Sequence, residues 1–482
     1  MNLKKYNFIV IFILAFAIGI LGAFTGTKIF NKDVSNNSDS SKLNGQDTEQ
    51  VVKDPSLQKI TQTFQLIQQH FIEDVEDEIL YEGAIQGMLD VLDDPNSEYM
   101  NVEAMDRFEE QINSSFQGIG AEVTLRDGKV TIVSPIKDSP AEKAGLRPND
   151  IILEVDGESL EGLELFEAVE HIRGEKGSEV TITVQRAGSS DPFDMKLVRD
   201  DIPVETVYKE MIKEDGHKTG YLTITSFADR TSAEFLEYLE ELEEEGMDGL
   251  VIDVRGNPGG RLDAVEEILD PIIPNDKPFI QTEDKDGNID EVYTNTKEKK
   301  PYPITAIIDE GSASASEILA VSLKENGYDV VGTTSFGKGT VQQTVPLGDG
   351  STVKLTFYKW LSPDGNWIND VGVEPTVEKK QPDYYYLTPT QLKETLEVDH
   401  VGDDIETIQK MLAGIGYDDI RTDGYFDTDM KEIIESYQKD NDLDVTGSID
   451  DKTYAKIETE IVDRIREQED DEQLQEALKI LY

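Results

Sequence analysis

The sequence has no cysteine among its 482 residues. This rules out a disulfide framework, a thiolate metal site and a cysteine nucleophile. Histidine is nearly as scarce: His70, His171, His217 and His400 are scattered singly, without the paired spacing of a zinc-binding helix, so no metal site is expected. Positive charge is also short. Lys and Arg total 45 against 100 Asp and Glu, a formal net charge of −55, which argues against a nucleic-acid partner held by an electrostatic footprint. We read acidity on this scale as a surface suited to a salty or alkaline habitat. Apolar residues still make up 37% of the chain, enough for buried cores, and the length suits about three domains.

Long hydrophobic runs are few, and one stands out. After Lys4 and Lys5, residues Tyr6 to Phe24 (YNFIVIFILAFAIGILGAF) carry no charge and match the roughly 20 residues needed to cross a bilayer. The cationic side is expected to stay cytoplasmic. Leu21-Gly-Ala-Phe-Thr-Gly26 is a poor cleavage site, so an uncleaved anchor over residues 1–30 is favoured over a removed signal peptide. The body would then lie outside the cytoplasm, held off by a Ser/Asn-rich linker over 31–54.

A phosphate-binding loop is missing, though narrowly. In Val331–Val345 (VGTTSFGKGTVQQTV), Gly332 and Gly337-Lys338 approach the G-x-x-x-x-G-K-[ST] pattern, but Gly339 stands where a magnesium-binding hydroxyl is required. Thr340 to Val345 is β-branched and alternating, a strand where that motif needs a helix. Lys338 therefore needs another role.

Apolar spacing around Phe64, Leu66, Ile67 and Phe71, and around Ile85, Met88, Leu89 and Leu92, predicts helices over 55–110. Residues 111–200 read as short strands (130–133, 151–155, 180–184) divided by turns, with one helix near Leu163–Arg173. From 201 to 380 strands and helices alternate, as in an α/β core: strands at 220–225, 249–254 and 304–308, a helix at 232–245, and a glycine-rich turn at Arg255-Gly-Asn-Pro-Gly-Gly260.

Two of these blocks carry chemistry. Gly118-Ile119-Gly120-Ala121, followed by SPAEKAGLRPNDIILEVDG (Ser139 to Gly157), resembles a PDZ domain. Such a domain adds an extended peptide to a sheet edge and takes its terminal carboxylate on backbone N–H groups, with Gly118 and Gly120 leaving room for approach; the bland alternative is a simple bend. Ser314, with Glu317 three residues on, reads either as a capping box or as a nucleophile. With no suitably placed histidine, a buried lysine could serve as its base, and Lys338 is the candidate. Gln342 lies at an even offset along the expected strand, which would put its amide on the same face as Lys338. Gly259, Gly260 and Ala315 could supply oxyanion-binding N–H groups. Arg173, ending the PDZ helix, is either a relay toward the catalytic core or a solvated charge.

Asp253-Val-Arg-Gly-Asn-Pro-Gly-Gly260, Gly311-Ser-Ala-Ser-Ala-Ser-Glu-Ile318 and Phe336-Gly-Lys-Gly-Thr-Val-Gln-Gln343 together resemble the carboxyl-terminal processing peptidases, the tail-specific Ser–Lys proteases of S41 type. The resemblance places the nucleophile on Ser314, the general base on Lys338 and the lysine-orienting glutamine on Gln342, with the glycines beside Lys338 as room for substrate backbone. It implies no cofactor, protein substrates with accessible C-termini, and admits a homodimer. Residues 385–465, with Val401-Gly-Asp-Asp-Ile-Glu-Thr-Ile-Gln409 and Asp423-Gly-Tyr-Phe426, resemble a three-helix peptidoglycan-binding domain, the alternative being a helical spacer. Residues 466–482 read as a solvated acidic helical tail. The expected whole is an α/β multidomain protein: a peptidase core with an inserted, mainly β PDZ domain, an N-terminal transmembrane helix and a C-terminal three-helix domain. The rival from another class is a non-catalytic envelope scaffold.

Overall fold

The computed structural model describes residues 55–482 except 127, 187, 188, 190, 388–391, 418 and 469. The apolar run at 6–24 and the linker expected over 31–54 lie outside the described residues. Among the described residues no helix is long and apolar enough to cross a membrane.

The chain divides after Asp93 into two compact units. In the first, α1 (Pro55–His70) and α2 (Asp77–Asp90) meet where Phe64 stacks on Tyr81, ring centroids 4.7 Å apart. Leu66, Phe71, Ile72, Met88 and Leu92 remain exposed.

The second unit opens with β1 (Glu98–Met100) and α3 (Val102–Asn113). The helical reading of 55–110 misses β1, because this short strand exists only through its pairing with residues 352–354, far along the chain. Next comes β2 (Ser115–Gly118), leading into an antiparallel sheet of β3 (Ala121–Arg126), β4 (Lys129–Pro135), β5 (Ile151–Val155), β6 (Glu158–Ser159), β7 (Glu179–Gln185) and β8 (Phe193–Val198), with α4 (Pro140–Ala144) and α5 (Leu165–Ile172). Alternation drives this domain: Val180, Ile182 and Val184 of β7 all turn into its core beside Ile132, Ile152 and Ile172. β9 (Asp200–Pro203) then returns antiparallel to β2, so the chain enters and leaves through a two-stranded neck.

The main sheet is built from β10 (Val207–Glu214), β11 (His217–Ile224), β12 (Gly249–Asp253), β15 (Ile304–Ile308), β16 (Asp329–Gly332) and β19 (Val377–Glu378), in that order and parallel from β11 onward. Helices α6 (Thr231–Glu244), α7 (Leu262–Leu269) and α8 (Ala315–Glu325) intervene. Every residue of β12 and β15 is buried, as expected of parallel strands covered on both faces. A second, antiparallel sheet joins β1 to β13 (Ile280–Glu283), β14 (Ile289–Val292), β17 (Thr340–Pro346) and β18 (Thr352–Leu361).

Leu222, Leu250, Ile252, Ala306, Ile308 and Val330 face one side of the main sheet and pack with Phe235, Leu239, Ile268 and Leu319 of the helices. Their neighbours Tyr221, Val251, Ile307 and Val331 face the other side, and there they meet Leu474, Ala477 and Leu481. Those residues belong to the last helix. After α9 (Asp403–Gly414), α10 (Thr428–Asp440) and α11 (Asp451–Arg466), which share a core of their own, α12 (Glu472–Leu481) returns to the main sheet. The tail is therefore not a solvated helix. Leu474, Ala477, Leu478 and Leu481 recur at helical spacing, but the acidic run before them hides the stripe. Asp471 caps the helix by accepting the Leu474 amide at 2.8 Å.

Within the three-helix module two buried glutamines tie helices to loops. Gln409 donates to the Tyr425 carbonyl at 2.9 Å and accepts the Gly424 amide at 2.9 Å; Gln438 does the same with the Ser448 carbonyl at 2.8 Å and the Gly447 amide at 3.0 Å.

Candidate active site

The end of β15 turns sharply through Asp309–Ala313 and enters α8 at Ser314. Ser314 has φ 53° and ψ −111°, a conformation that costs an L-residue energy and persists only where its surroundings impose it. Asp309 organises the turn, its Oδ1 accepting the amides of Gly256 (2.8 Å) and Gly311 (3.0 Å). Three serines share this segment. Ser312 and Ser316 are fully buried and donate to the carbonyls of Val254 (2.8 Å) and Asn257 (2.9 Å), whereas Ser314 is only half-buried. Of the three, Ser314 has the accessible position a nucleophile needs.

The glycine-rich turn is pressed against this serine. A Cβ on Gly259 would lie 2.9 Å from Ser314 Cβ and 2.9 Å from the Ala315 nitrogen, and one on Gly260 would lie 1.9 Å from the Phe227 carbonyl oxygen. Side chains are therefore excluded here by the packing itself. The Gly259 N–H donates to Asn257 Oδ1 at 2.8 Å, so it is spent inside the turn and is not an oxyanion donor as the sequence suggested. The N–H groups of Gly260 and Ala315 have no hydrogen-bond partner among the described residues. Asn257, which sequence reasoning passed over, ties the turn down: fully buried, it donates to the Ile224 carbonyl at 2.8 Å, and its own carbonyl accepts the Ala313 amide at 3.0 Å.

Lys338 sits in the loop between β16 and β17. The buried Glu317 carboxylate reaches this loop from the first turn of α8, accepting Ser314 N–H at 2.7 Å, Ser335 Oγ–H at 2.6 Å, Gly337 N–H at 2.7 Å and Lys338 N–H at 2.8 Å. One carboxylate thus locks the Ser314 turn to the Lys338 loop. Sequence reading gave Glu317 only a cap; its reach to residues 335–338 could not be seen without the fold. Trp360 Nε1–H holds the Lys338 carbonyl at 2.8 Å. Gly337 and Gly339 do not leave room for substrate: a Cβ on Gly337 would lie 3.0 Å from the Gly372 nitrogen, and one on Gly339 would lie 2.7 Å from the Asn369 nitrogen.

Burial pushes the Lys338 amine below its ordinary value, Lys354 adds to this, and Asp94, Glu317 and Glu98 oppose it. Gln342 does not hydrogen-bond Lys338. Lys338 precedes β17, and a bulge between Val341 and Gln342 shifts the register against β18, so counting even offsets along a strand fails here. Gln342 Nε2 instead donates to Thr340 Oγ1 at 2.9 Å and Thr356 Oγ1 at 3.0 Å.

At the PDZ loop, Gly118 ends β2, Ile119 is a core residue and Ala121 begins β3. The N–H groups of Ile119 and Gly120 have no partner among the described residues, leaving donors for a carboxylate. Gly120 is not there for access: with φ 74°, a Cβ would lie 2.4 Å from Ser139 Cβ. Arg173 reaches across to α3, 3.1 Å from Glu110 Oε2, with its guanidinium 5.1 Å from the Phe116 ring centroid.

An α/β core that presents a strained serine at a helix start, a half-buried lysine on a loop tied to that start through Glu317, and a PDZ insertion defines a serine peptidase of family S41. That family's model matches residues 218–379, and others match a CtpB N-terminal domain (16–104), a PDZ domain (131–186) and a peptidoglycan binding domain (401–457). The chain is 49% identical to the carboxy-terminal processing protease CtpB of Bacillus subtilis over 89% of its length and 90% of that protein, and 38% identical to CtpA of the same organism over 89% and 91%. Among solved structures, the photosystem II D1 C-terminal processing protease is similar over 67% of this chain and 87% of its own, at 28% identity and a TM-score of 0.42. The chain belongs to the carboxy-terminal processing proteases, serine proteases carrying a PDZ domain.

Proposed function

We propose that this protein is a membrane-anchored, extracytoplasmic endopeptidase that recognises protein C-termini through its PDZ domain and cleaves with Ser314 as nucleophile and Lys338 as general base. The observation that carries the reading is the Glu317 carboxylate, which holds the Ser314 turn and the Lys338 loop in one hydrogen-bonded unit. Neutral Lys338 takes the proton from Ser314 Oγ as the oxygen attacks the scissile carbonyl, and later gives it to the leaving amine. The Gly260 and Ala315 N–H groups receive the oxyanion. Water then releases the acyl-enzyme by the same steps. Gln342 orients the lysine amine, and Arg173 carries the state of the PDZ domain to α3.

Two features support the proposed location. Lys4 and Lys5 ahead of the 6–24 run support an N-in anchor, and the 401–457 match supports attachment to peptidoglycan. The exposed apolar residues of α1 and α2 support a homodimer formed through that unit. The purified protein should cut an unfolded protein with a free C-terminus, with products mapped by mass spectrometry, and Ser314→Ala should not. Unchanged cleavage by Ser314→Ala overturns the assignment.

A further inference from the structure

Gln342 presents an orientation problem, because an amide can turn either its oxygen or its nitrogen toward a neighbour, and only one choice helps a lysine act as a base. The neighbours of Gln342 settle the choice. Asp94 Oδ2 accepts the hydroxyls of Ser97 and Thr356, each at 2.6 Å, and Oδ1 accepts the Asn96 amide at 3.0 Å. Ser97 Oγ in turn accepts the Thr356 amide at 3.1 Å. Burial would raise the Asp94 carboxyl, but the hydrogen bonds from Ser97, Thr356 and Asn96 outweigh it and hold the group below its ordinary value, hence ionised at neutral pH.

An ionised carboxylate can only accept. The single hydroxyl proton of Thr356 is therefore committed to Asp94, and Thr356 Oγ1 can only accept from Gln342. Gln342 must turn its Nε2 to Thr356 and Thr340, where both N–H groups are used, leaving Oε1 as the one acceptor the amide still offers. Among the described residues neither Oε1 nor the Lys338 amine has a hydrogen-bond partner.

We propose that Asp94 and Thr356 are positioning residues of the protease: the chain Asp94, Thr356, Gln342 fixes the amide so that its carbonyl oxygen takes an N–H of Lys338, leaving the amine's lone pair for Ser314. With the amide reversed, Gln342 would donate into that lone pair and silence the base. The proposal rests on the Ser314–Lys338 reading. It assigns a task to Asp94-Pro-Asn-Ser97, a segment to which sequence reading gave no role, and brings it to the site through the β1–β18 pairing.

The test is steady-state cleavage of a free-C-terminus peptide by the full chain, with folding of each variant checked by circular dichroism. Thr356→Val should lower kcat about 10- to 100-fold with KM changed less than about twofold, because an interaction needed only for the chemical step is lost. Thr356→Ser, which keeps the hydroxyl, should restore most of the rate. In a Gln342→Ala background Thr356→Val should have little further effect, since the threonine acts only through the amide. Asp94→Asn should lower kcat and move the rising limb of the pH profile to lower pH, because one of the three carboxylates opposing burial at Lys338 is removed while Glu317, Glu98 and Lys354 remain. A kcat for Thr356→Val within about twofold of the parent, or a full additive loss in the Gln342→Ala background, overturns the proposal. Should Thr356→Val not fold, Asp94→Asn carries the test alone: a kcat and limb unchanged overturn it. Lys338→Arg keeps the two readings apart. Normal activity there removes the lysine base itself, whereas an inactive Lys338→Arg with a normal Thr356→Val removes only the relay.

Discussion

The backbone N–H of Lys338 donates to the Glu317 carboxylate at 2.8 Å, 21 residues back in the chain and one helical turn past Ser314. That carboxylate has no room for change: each of its oxygens accepts two donors, Ser335 and Gly337 on one, Ser314 and Lys338 on the other.

Glu317→Ala strands four donors inside the protein, so it should destabilise the fold by about 3–5 kcal/mol, a few times the cost of one buried unsatisfied group, and abolish cleavage. Glu317→Gln keeps one accepting oxygen and should remain folded while losing most activity. Chemical denaturation and peptide cleavage, measured on both variants, check this.

Lys338 provides a pH test whose sign is fixed. Its amine is lowered by burial, so cleavage should rise with pH through an apparent pKa below the free lysine value of 10.5. Stability follows the same group. Between its folded pKa and 10.5 the unfolded chain holds a proton the folded chain has lost, so this lysine's contribution rises with pH across that window. Urea unfolding at several pH values should show the rise in the parent and not in Lys338→Met. Lys338→Arg keeps the charge but cannot lose it, and should fold yet fail to cleave.

The last helix should be indispensable. Arg255 is bound by Asp253 at 2.5 Å and by Asp471 at 2.8 Å, both buried carboxylates. Asp471→Ala should cost about 3–5 kcal/mol, because it leaves a buried guanidinium short of a partner. Removing residues 472–482 uncovers Tyr221, Val251, Ile307 and Val331 and should yield insoluble protein. Thermal unfolding and soluble yield are the measurements.

PDZ recognition should depend on the terminal carboxylate. Amidating a substrate's C-terminus should weaken binding about tenfold or more, the loss of a charge-assisted hydrogen-bonding group, and leave the cut site unchanged. Calorimetric titration paired with mass spectrometry reads both.

Regular elements were legible because their signals are local. β7 alternates and is read at once; β12 and β15 are unbroken apolar runs and appear as buried strands. Motif chemistry singled out Ser314 and Lys338, and the structure joins their two segments through Glu317. What escaped depends on distance along the chain. β1 exists only by pairing with β18, Glu317 reaches residues 335–338, and the Asn257 carbonyl holds the Ala313 amide, far along the chain at the end of the turn that leads into Ser314. The Gly259 donor failed for a local reason, since a side chain two residues earlier takes its N–H, and the even-offset count from Lys338 to Gln342 failed because a bulge cannot be counted from sequence.

The three helices α9, α10 and α11 leave the peptidase after Gln381 and return at Asp471, and these two points are clipped together. Gln381 Nε2 donates to Asp471 Oδ1 at 2.7 Å, the Glu472 amide donates to Gln381 Oε1 at 3.0 Å, Gln473 Nε2 donates to the Lys379 carbonyl at 2.9 Å, and Lys379 pairs with Glu472 at 2.5 Å. The module is thus a closed loop hung from one knot, with both roots side by side. If it grips the wall while the other end of the chain is held in the membrane, tension arrives at both roots together and is shared across the knot. A single strand leading to an open end would peel away one bond at a time; here the pull meets several bonds in parallel before any of it reaches the strands that carry Ser314.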